Sequence, residues 1–221
     1  MSQPRPATFY FDYISPYAYL LWHRLNDPRA LLADRLDLGC RPLLFAGLLN
    51  HWGQKGPAEI EGKRTHTYRQ VYRLAEQLEI PFKMPDAHPF NPLAALRLTI
   101  ALGSTREAIS SIFNSIWAKG HRPDDPAGFA AIVADLAIEG GVAGAMEKIA
   151  SPQVKKQLQD NGAEAVDQKV FGVPTVIVDG ELFWGVDSVD MLAHFLDHPD
   201  YFRSDEMRRI GDILPSASRP H

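Results

Sequence analysis

A single cysteine, Cys40, stands among the 221 residues. No disulfide can form within the chain, which excludes both a stapled extracellular scaffold and an intramolecular dithiol centre. Long apolar runs are missing too. None approaches the roughly 20 residues that a membrane span requires. The N-terminus, Met1-Ser2-Gln3-Pro4-Arg5-Pro6, lacks the apolar core of an export signal, so the expectation is a reducing, cytoplasmic location. Basic charge is not in excess: 23 Lys and Arg face 27 Asp and Glu, a formal charge of −4. That balance argues against nucleic acid and anionic membrane as partners. Metal-ligand patterns are also lacking. His194 and His198 have i, i+4 spacing, but no third ligand follows and Pro199 ends the helix, so no metal is expected. The glycine-rich bend from Gly140 to Gly144 has no preceding strand and no Lys-Ser/Thr, which excludes a phosphate loop.

What is present is 45% hydrophobic, enough for one well-filled domain or a domain carrying a large insertion. The run Ala7 to Tyr13 reads as a strand, and Ser15-Pro16-Tyr17-Ala18 opens a helix with Ala18, Leu21, Trp22 and Leu25 on one stripe. A second strand covers Leu36 to Pro42 and holds Cys40 as a small buried hydrophobe, with no cation or helix start to lower its pKa. A loop is expected from Gly47 to Gly62. From 63 to 169 the apolar spacing is helical throughout, with breaks at Ile80-Pro81, Gly103-Ser104, His121-Arg122-Pro123 and Gly140-Gly141. After Gly172 the strand signal returns: Thr175 to Val178, an Asp179-Gly180 turn, and Leu182-Phe183-Trp184. A helix carrying Val189, Leu192 and Leu196 closes the order, and a polar tail with Pro215 and Pro220 follows, expected to pack loosely or against a partner chain.

This order, βαβ, helices, then ββα, gives an α/β fold class. It is a thioredoxin-like sheet from residues 1–62 and 170–221, with an inserted helical domain at 63–169. A thioredoxin-type redox protein has the same order of parts but places Cys-x-x-Cys where this chain has Ser15-Pro16-Tyr17-Ala18. The hydroxyl forms no disulfide. It can donate a hydrogen bond to a sulfur that something else supplies.

Three places can carry chemistry. Ser15-Pro16 is an ordinary helix start, as Ser151-Pro152 is, since Ser caps and Pro suits the first turn. Position sets Ser15 apart. It follows a core strand, where the unpaired N–H groups and dipole of a helix favour an anion such as a thiolate. The hydroxyl adds a charge-assisted hydrogen bond. Gly172-Val173-Pro174-Thr175 is a sequence suited to a cis peptide, leaving the Val173 backbone free to pair with an added peptide strand. Asp187 and Ser188 begin the last helix, where caps are common; Asp187 can also accept from an ammonium group.

Together these segments resemble the kappa-class glutathione transferases and the related 2-hydroxychromene-2-carboxylate isomerases. The resemblance spans about residues 7 to 197. It rests on Phe11-Asp12-Tyr13-Ile14-Ser15-Pro16-Tyr17-Ala18-Tyr19, Pro42-Leu43-Leu44-Phe45-Ala46-Gly47, Gly53-Gln54-Lys55-Gly56-Pro57, Lys63-Arg64, Pro89-Phe90-Asn91, Gly172-Val173-Pro174-Thr175 and Phe183-Trp184-Gly185-Val186-Asp187. It implies bound glutathione, with Ser15 catalytic as the holder of its sulfur and Val173, Pro174, Val186, Asp187, Ser188, Gln54 and Lys63 around the tripeptide. Val173 would pair with the cysteinyl backbone, Asp187 with the γ-glutamyl amine, and Lys63 would sit near the glycyl carboxylate. It also implies that Phe90, Asn91 and Trp184 line the pocket for a small aromatic electrophile, and that the protein is a homodimer. Two positions depart from the pattern. Gln54 stands where Asn is common, and Ser188 where Arg is common, which removes a bidentate carboxylate clamp.

The activity implied is a glutathione-dependent isomerisation of 2-hydroxychromene-2-carboxylate and hydroxybenzylidenepyruvate-type compounds in aromatic catabolism. A conjugating transferase or thiol peroxidase using the same site is the alternative, and a glutathione-binding module without turnover is a third reading.

Overall fold

The computed structural model describes residues 3–29, 31–32 and 34–217; Met1, Ser2 and Pro220 of the terminal readings lie outside them. Strand β1 (Arg5–Phe11), helix α1 (Pro16–Asn26) and strand β2 (Leu36–Pro42) form the first unit. A short helix α2 (Phe45–His51) and a single turn at Pro57–Glu59 lead to α3 (Glu61–Gln77). Helices α4 (Leu93–Ala101), α5 (Arg106–Trp117), α6 (Pro126–Asp135), α7 (Gly141–Ala150) and α8 (Pro152–Asp167) follow. The chain returns through β3 (Thr175–Val178) and β4 (Glu181–Trp184), a turn at Val186–Ser188, α9 (Val189–Asp197) and α10 (Asp205–Gly211). Among the described residues no helix is long and apolar enough to cross a membrane.

The sheet order is β2-β1-β3-β4. β1 pairs parallel with β2, Phe9 opposite Cys40, and antiparallel with β3, Phe9 opposite Val176. As one of the two inner strands, β1 is covered on both faces, and its two-residue period divides the core. Phe9 and Phe11 enter the larger apolar cluster with Trp22 and Phe113. Tyr10 enters a smaller one with Leu43, Leu48, Ala165, Val170 and Val173. The β3–β4 hairpin closes at Asp179-Gly180, where φ is 51° and 85°. Two successive left-handed residues match the twist of the paired strands, and Asp-Gly reaches them at low cost.

The helix breaks expected from sequence fall between helices, and Thr105 and Asp125 accept from the Ala108 and Gly128 N–H groups to cap α5 and α6. Three details differ. The first strand starts and ends two residues earlier than the apolar run. The expected loop at 47–62 contains most of α2, the Pro57–Glu59 turn and the start of α3. α2 is only seven residues long, too short for its single buried position, Leu48, to display a period. Ser151-Pro152 does open a helix, α8, but the Ser151 hydroxyl turns to Gln153 at 2.8 Å instead of capping it. In the tail, α10 buries none of its residues, and Ile213 and Leu214 are exposed.

Helix α5, from the middle of the chain, packs on the sheet through an aromatic ring. Phe113 of α5 lies 5.5 Å from Phe11 and 4.6 Å from Tyr13, centroid to centroid. It also meets Tyr19 at 6.1 Å and Trp22 at 6.4 Å on α1.

Candidate functional site

Ser15 caps α1 with extended backbone, φ −93° and ψ 112°. Its side-chain oxygen accepts from the Ala18 N–H at 3.2 Å and donates to the Val173 carbonyl at a long 3.4 Å. The residue is buried, 8% exposed. Pro16 has no N–H to offer, and the Tyr17 N–H has no partner among the described residues. Across from it, the Val173–Pro174 peptide is cis, and the Val173 N–H likewise has no partner among the described residues. β1–β3 pairing begins one residue after Pro174, at Thr175. The result is a helix N-terminus and a short length of unpaired backbone facing each other around one hydroxyl. Such a donor set suits an anion, and the unpaired backbone beside it suits an extended segment.

The next turn lies against this loop. The Gly185 N–H donates to the Pro174 carbonyl at 2.9 Å. Gly185 has φ 87°, a backbone conformation that favours glycine, and a side chain there would also have to displace the exposed Asp187 carboxylate. Asp187 is exposed, Val186 is buried, and the Ser188 hydroxyl donates to the Gly185 carbonyl at 2.8 Å. Arg24 of α1 reaches the same turn, donating to the Val186 carbonyl at 3.1 Å and pairing with Asp190 at 3.7 Å. Tyr17 joins α1 to α3. Its hydroxyl donates to Gln70 of α3 at 2.8 Å. Burial, then the Asp187 carboxylate, push the Tyr17 pKa up.

The remaining expected site residues are more dispersed. Gln54 and Lys63 are exposed, one after α2 and one in the first turn of α3. Trp184 ends β4 with a half-exposed ring 5.2 Å from Phe171. Phe90, in contrast, is a core residue, 5% exposed and packed 5.9 Å from Trp117. The Asn91 side-chain oxygen accepts from the Leu93 N–H at 3.0 Å and so serves the start of α4. The structure therefore gathers Ser15, Val173, Pro174, Val186, Asp187 and Ser188, while Phe90 packs in the core and the Asn91 side chain bonds within its own turn.

Two groups beside Ser15 escaped sequence reasoning. Asp12 is fully buried at the end of β1. Its carboxylate accepts from the Ile14 N–H at 3.1 Å and the Phe45 N–H at 2.9 Å, while its carbonyl accepts from the Ser15 N–H at 3.1 Å. Desolvation raises its pKa to about 7, opposed by those backbone donors. The other is His88, whose Nε2 lies 2.7 Å from the Ile14 carbonyl. An acid between aromatic residues at a strand end was a readable signal for Asp12; a histidine in a loop is none.

Asp12 has a consequence for stability. Its folded pKa lies above the unfolded value of about 3.9, so the native state holds the proton more tightly. Stability is highest below about pH 4 for this group and falls as pH rises toward 7. Between about pH 5 and about pH 8 the group is expected to cost about 3 kcal/mol. Urea unfolding of the wild type and of Asp12→Asn across that range checks this: the difference between them should change by that order, and parallel curves would show that Asp12 does not titrate.

The only cysteine lies away from this corner. Cys40 sits partly buried in the middle of β2, and desolvation pushes its thiol up to about 11. It is neither a ready nucleophile nor a redox partner.

A family model described as a DSBA-like thioredoxin domain matches residues 7–197. A 2-hydroxychromene-2-carboxylate isomerase of Pseudomonas sp. (strain C18) is 30% identical over 192 residues, 84% of this chain and 87% of that protein. Glutathione S-transferase kappa 1 of Homo sapiens is 26% identical over 208 residues, 87% of this chain and 91% of that protein. Among solved structures, one of a 2-hydroxychromene-2-carboxylate isomerase is similar with a TM-score of 0.73 at 22% identity, covering 91% of this chain and 98% of that one.

Proposed function

The chain belongs to the DsbA-like thioredoxin domain family, in the group that holds the 2-hydroxychromene-2-carboxylate isomerases and kappa-class glutathione transferases, and from that membership we propose that it is a glutathione-dependent isomerase. One observation carries the reading: the position that faces the cis-proline loop is a buried hydroxyl, Ser15, flanked by the Tyr17 and Val173 N–H groups, which have no partner among the described residues, while the chain's only thiol lies mid-strand. The reacting sulfur then comes from a ligand. When bound, glutathione supplies a thiolate able to add to and leave an electron-poor double bond, so that rotation occurs while the bond is single.

The chain's own residues stabilise and orient. Ser15 moves its proton from the long contact with Val173 toward the sulfur charge, and the Tyr17 N–H and the α1 dipole add to the same field. The Val173 N–H and carbonyl take an extended backbone as a strand would. Asp187 accepts from an ammonium group. Lys63 is a candidate for the far carboxylate, and Gln54 for an amide contact. Of the three residues assigned to the aromatic substrate, Trp184 offers an exposed ring, and it is the one we retain. The reading also makes the protein a cytoplasmic homodimer, which sedimentation of the purified protein checks.

The test is direct. Purified protein with glutathione should interconvert 2-hydroxychromene-2-carboxylate and its opened isomer from either side, reaching one equilibrium, and should do nothing without the thiol. Irreversible conjugation of a chloro-nitroaromatic with no isomerisation would assign it as a transferase. A glutathione-dependent rise in Tm without turnover on any electrophile would leave a binding module.

A further inference from the structure

We propose that His88 is a positioning residue for Ser15, holding the Ile14 carbonyl through a proton fixed on Nε2 by Tyr68. The proposal rests on the site assigned above. The carbonyls of the two residues before Ser15 are each held by a side chain from the middle of the chain. The Trp117 Nε1–H donates to the Tyr13 carbonyl at 2.9 Å, and His88 Nε2 lies 2.7 Å from the Ile14 carbonyl. A carbonyl only accepts, so Nε2 carries the proton. In the neutral ring Nδ1 is then the acceptor. The Tyr68 hydroxyl of α3 stands 2.8 Å from Nδ1 and shares its proton with the His88 carbonyl at 2.9 Å.

The surroundings keep that arrangement. The His88 ring lies 5.7 Å from the Phe90 ring and 5.6 Å from the Trp117 ring, both edge-on. Burial lowers its pKa, which keeps the ring neutral. The charge that bears on Tyr68 is Arg64, one turn earlier on α3. On the other side, the Asp12 carboxylate holds the Ile14 N–H and the Asp12 carbonyl holds the Ser15 N–H, so the Ile14–Ser15 peptide is held at its donor by Asp12 and at its acceptor by His88. The peptide unit joining Ile14 to Ser15 contains that acceptor. Fixing it orients the Ser15 backbone and, through it, the direction in which the hydroxyl can donate.

Nitrogen-15 NMR of labelled histidine in the ligand-free protein tests the first half: the Nε2–H tautomer is expected for His88, and a proton on Nδ1 overturns the proposal. Tyr68→Phe should raise the Nδ1–H population; no change would remove Tyr68 from the assignment. His88→Leu should move the Ser15 amide resonance, raise the pH midpoint of bound glutathione thiolate absorbance, and lower kcat/KM about fivefold, the loss of one neutral hydrogen bond. His88→Gln, whose amide N–H reaches the same carbonyl, should restore the resonance and stay within about twofold. Leucine behaving as wild type, or glutamine failing as leucine does while folded, overturns the positioning role. Glutathione failing to bind the unaltered protein would sink the isomerase reading instead, and leave the tautomer and Ser15 resonance to decide this one.

Discussion

Replacing Ser15 with alanine should lower kcat/KM at neutral pH roughly 10- to 100-fold, the cost of one hydrogen bond to a charged group. It should also raise the pH at which bound glutathione ionises, read from thiolate absorbance. The same substitution removes a helix cap worth about 1 kcal/mol, because the Ser15 oxygen accepts from the Ala18 N–H. Glycine separates the two roles. It serves as an N-cap within a few tenths of a kcal/mol but has no hydroxyl. Ser15→Gly should therefore match alanine in activity while keeping nearly all the wild-type stability. If glycine retained full activity, sulfur stabilisation would have to be moved from the side chain to the helix N–H groups. If neither variant changed the thiol midpoint, Ser15 would be a cap and nothing more.

Phe113→Ala should cost about 3–5 kcal/mol, in the range of fully buried phenylalanine truncations. The ring is completely buried and touches Phe11, Tyr13, Tyr19 and Trp22. Those four come from the central strand, the turn before Ser15 and helix α1, whereas Phe113 comes from α5. The cavity would open where the helical block meets the sheet. Phe113→Leu keeps much of the volume and should cost about 1.5 kcal/mol. Urea midpoints measure both. A loss under about 1 kcal/mol for alanine would mean that this ring cluster is not what joins the two parts.

Isomerisation depends on a ligand binding at Ser15, and the role of His88 on the position of a proton within the protein. Asp12 adds a third, independent probe, since its titration reports the same turn through stability and not through turnover.

Much of this was readable before any coordinates. The Asp179-Gly180 hairpin was, because left-handed turn geometry is a local preference of those two residues. So was Ser15 as a cap, because Ser followed by Pro is a local signal. The breaks at Gly103-Ser104 and Gly140-Gly141 were local too. α2 was not legible, since one buried leucine in seven residues shows no period. Phe90 was placed at the substrate pocket by the family resemblance alone; its burial against Trp117 joins residues far apart in the chain, which no local pattern shows.

By itself, the amino-acid order determined the type of each major element, the βαβ…ββα succession, and the absence of any thiol pair that would let this fold act as a redox protein. Tertiary structure alone decided the strand order, the meeting of Ser15 with Val173 across 158 residues, and the grip of His88 and Trp117 on the turn before Ser15 across 74 and 104. The physical reason is range. Caps, turns and periods are settled by neighbours within about one helical turn, whereas a buried carbonyl takes whichever donor the packed core brings to it.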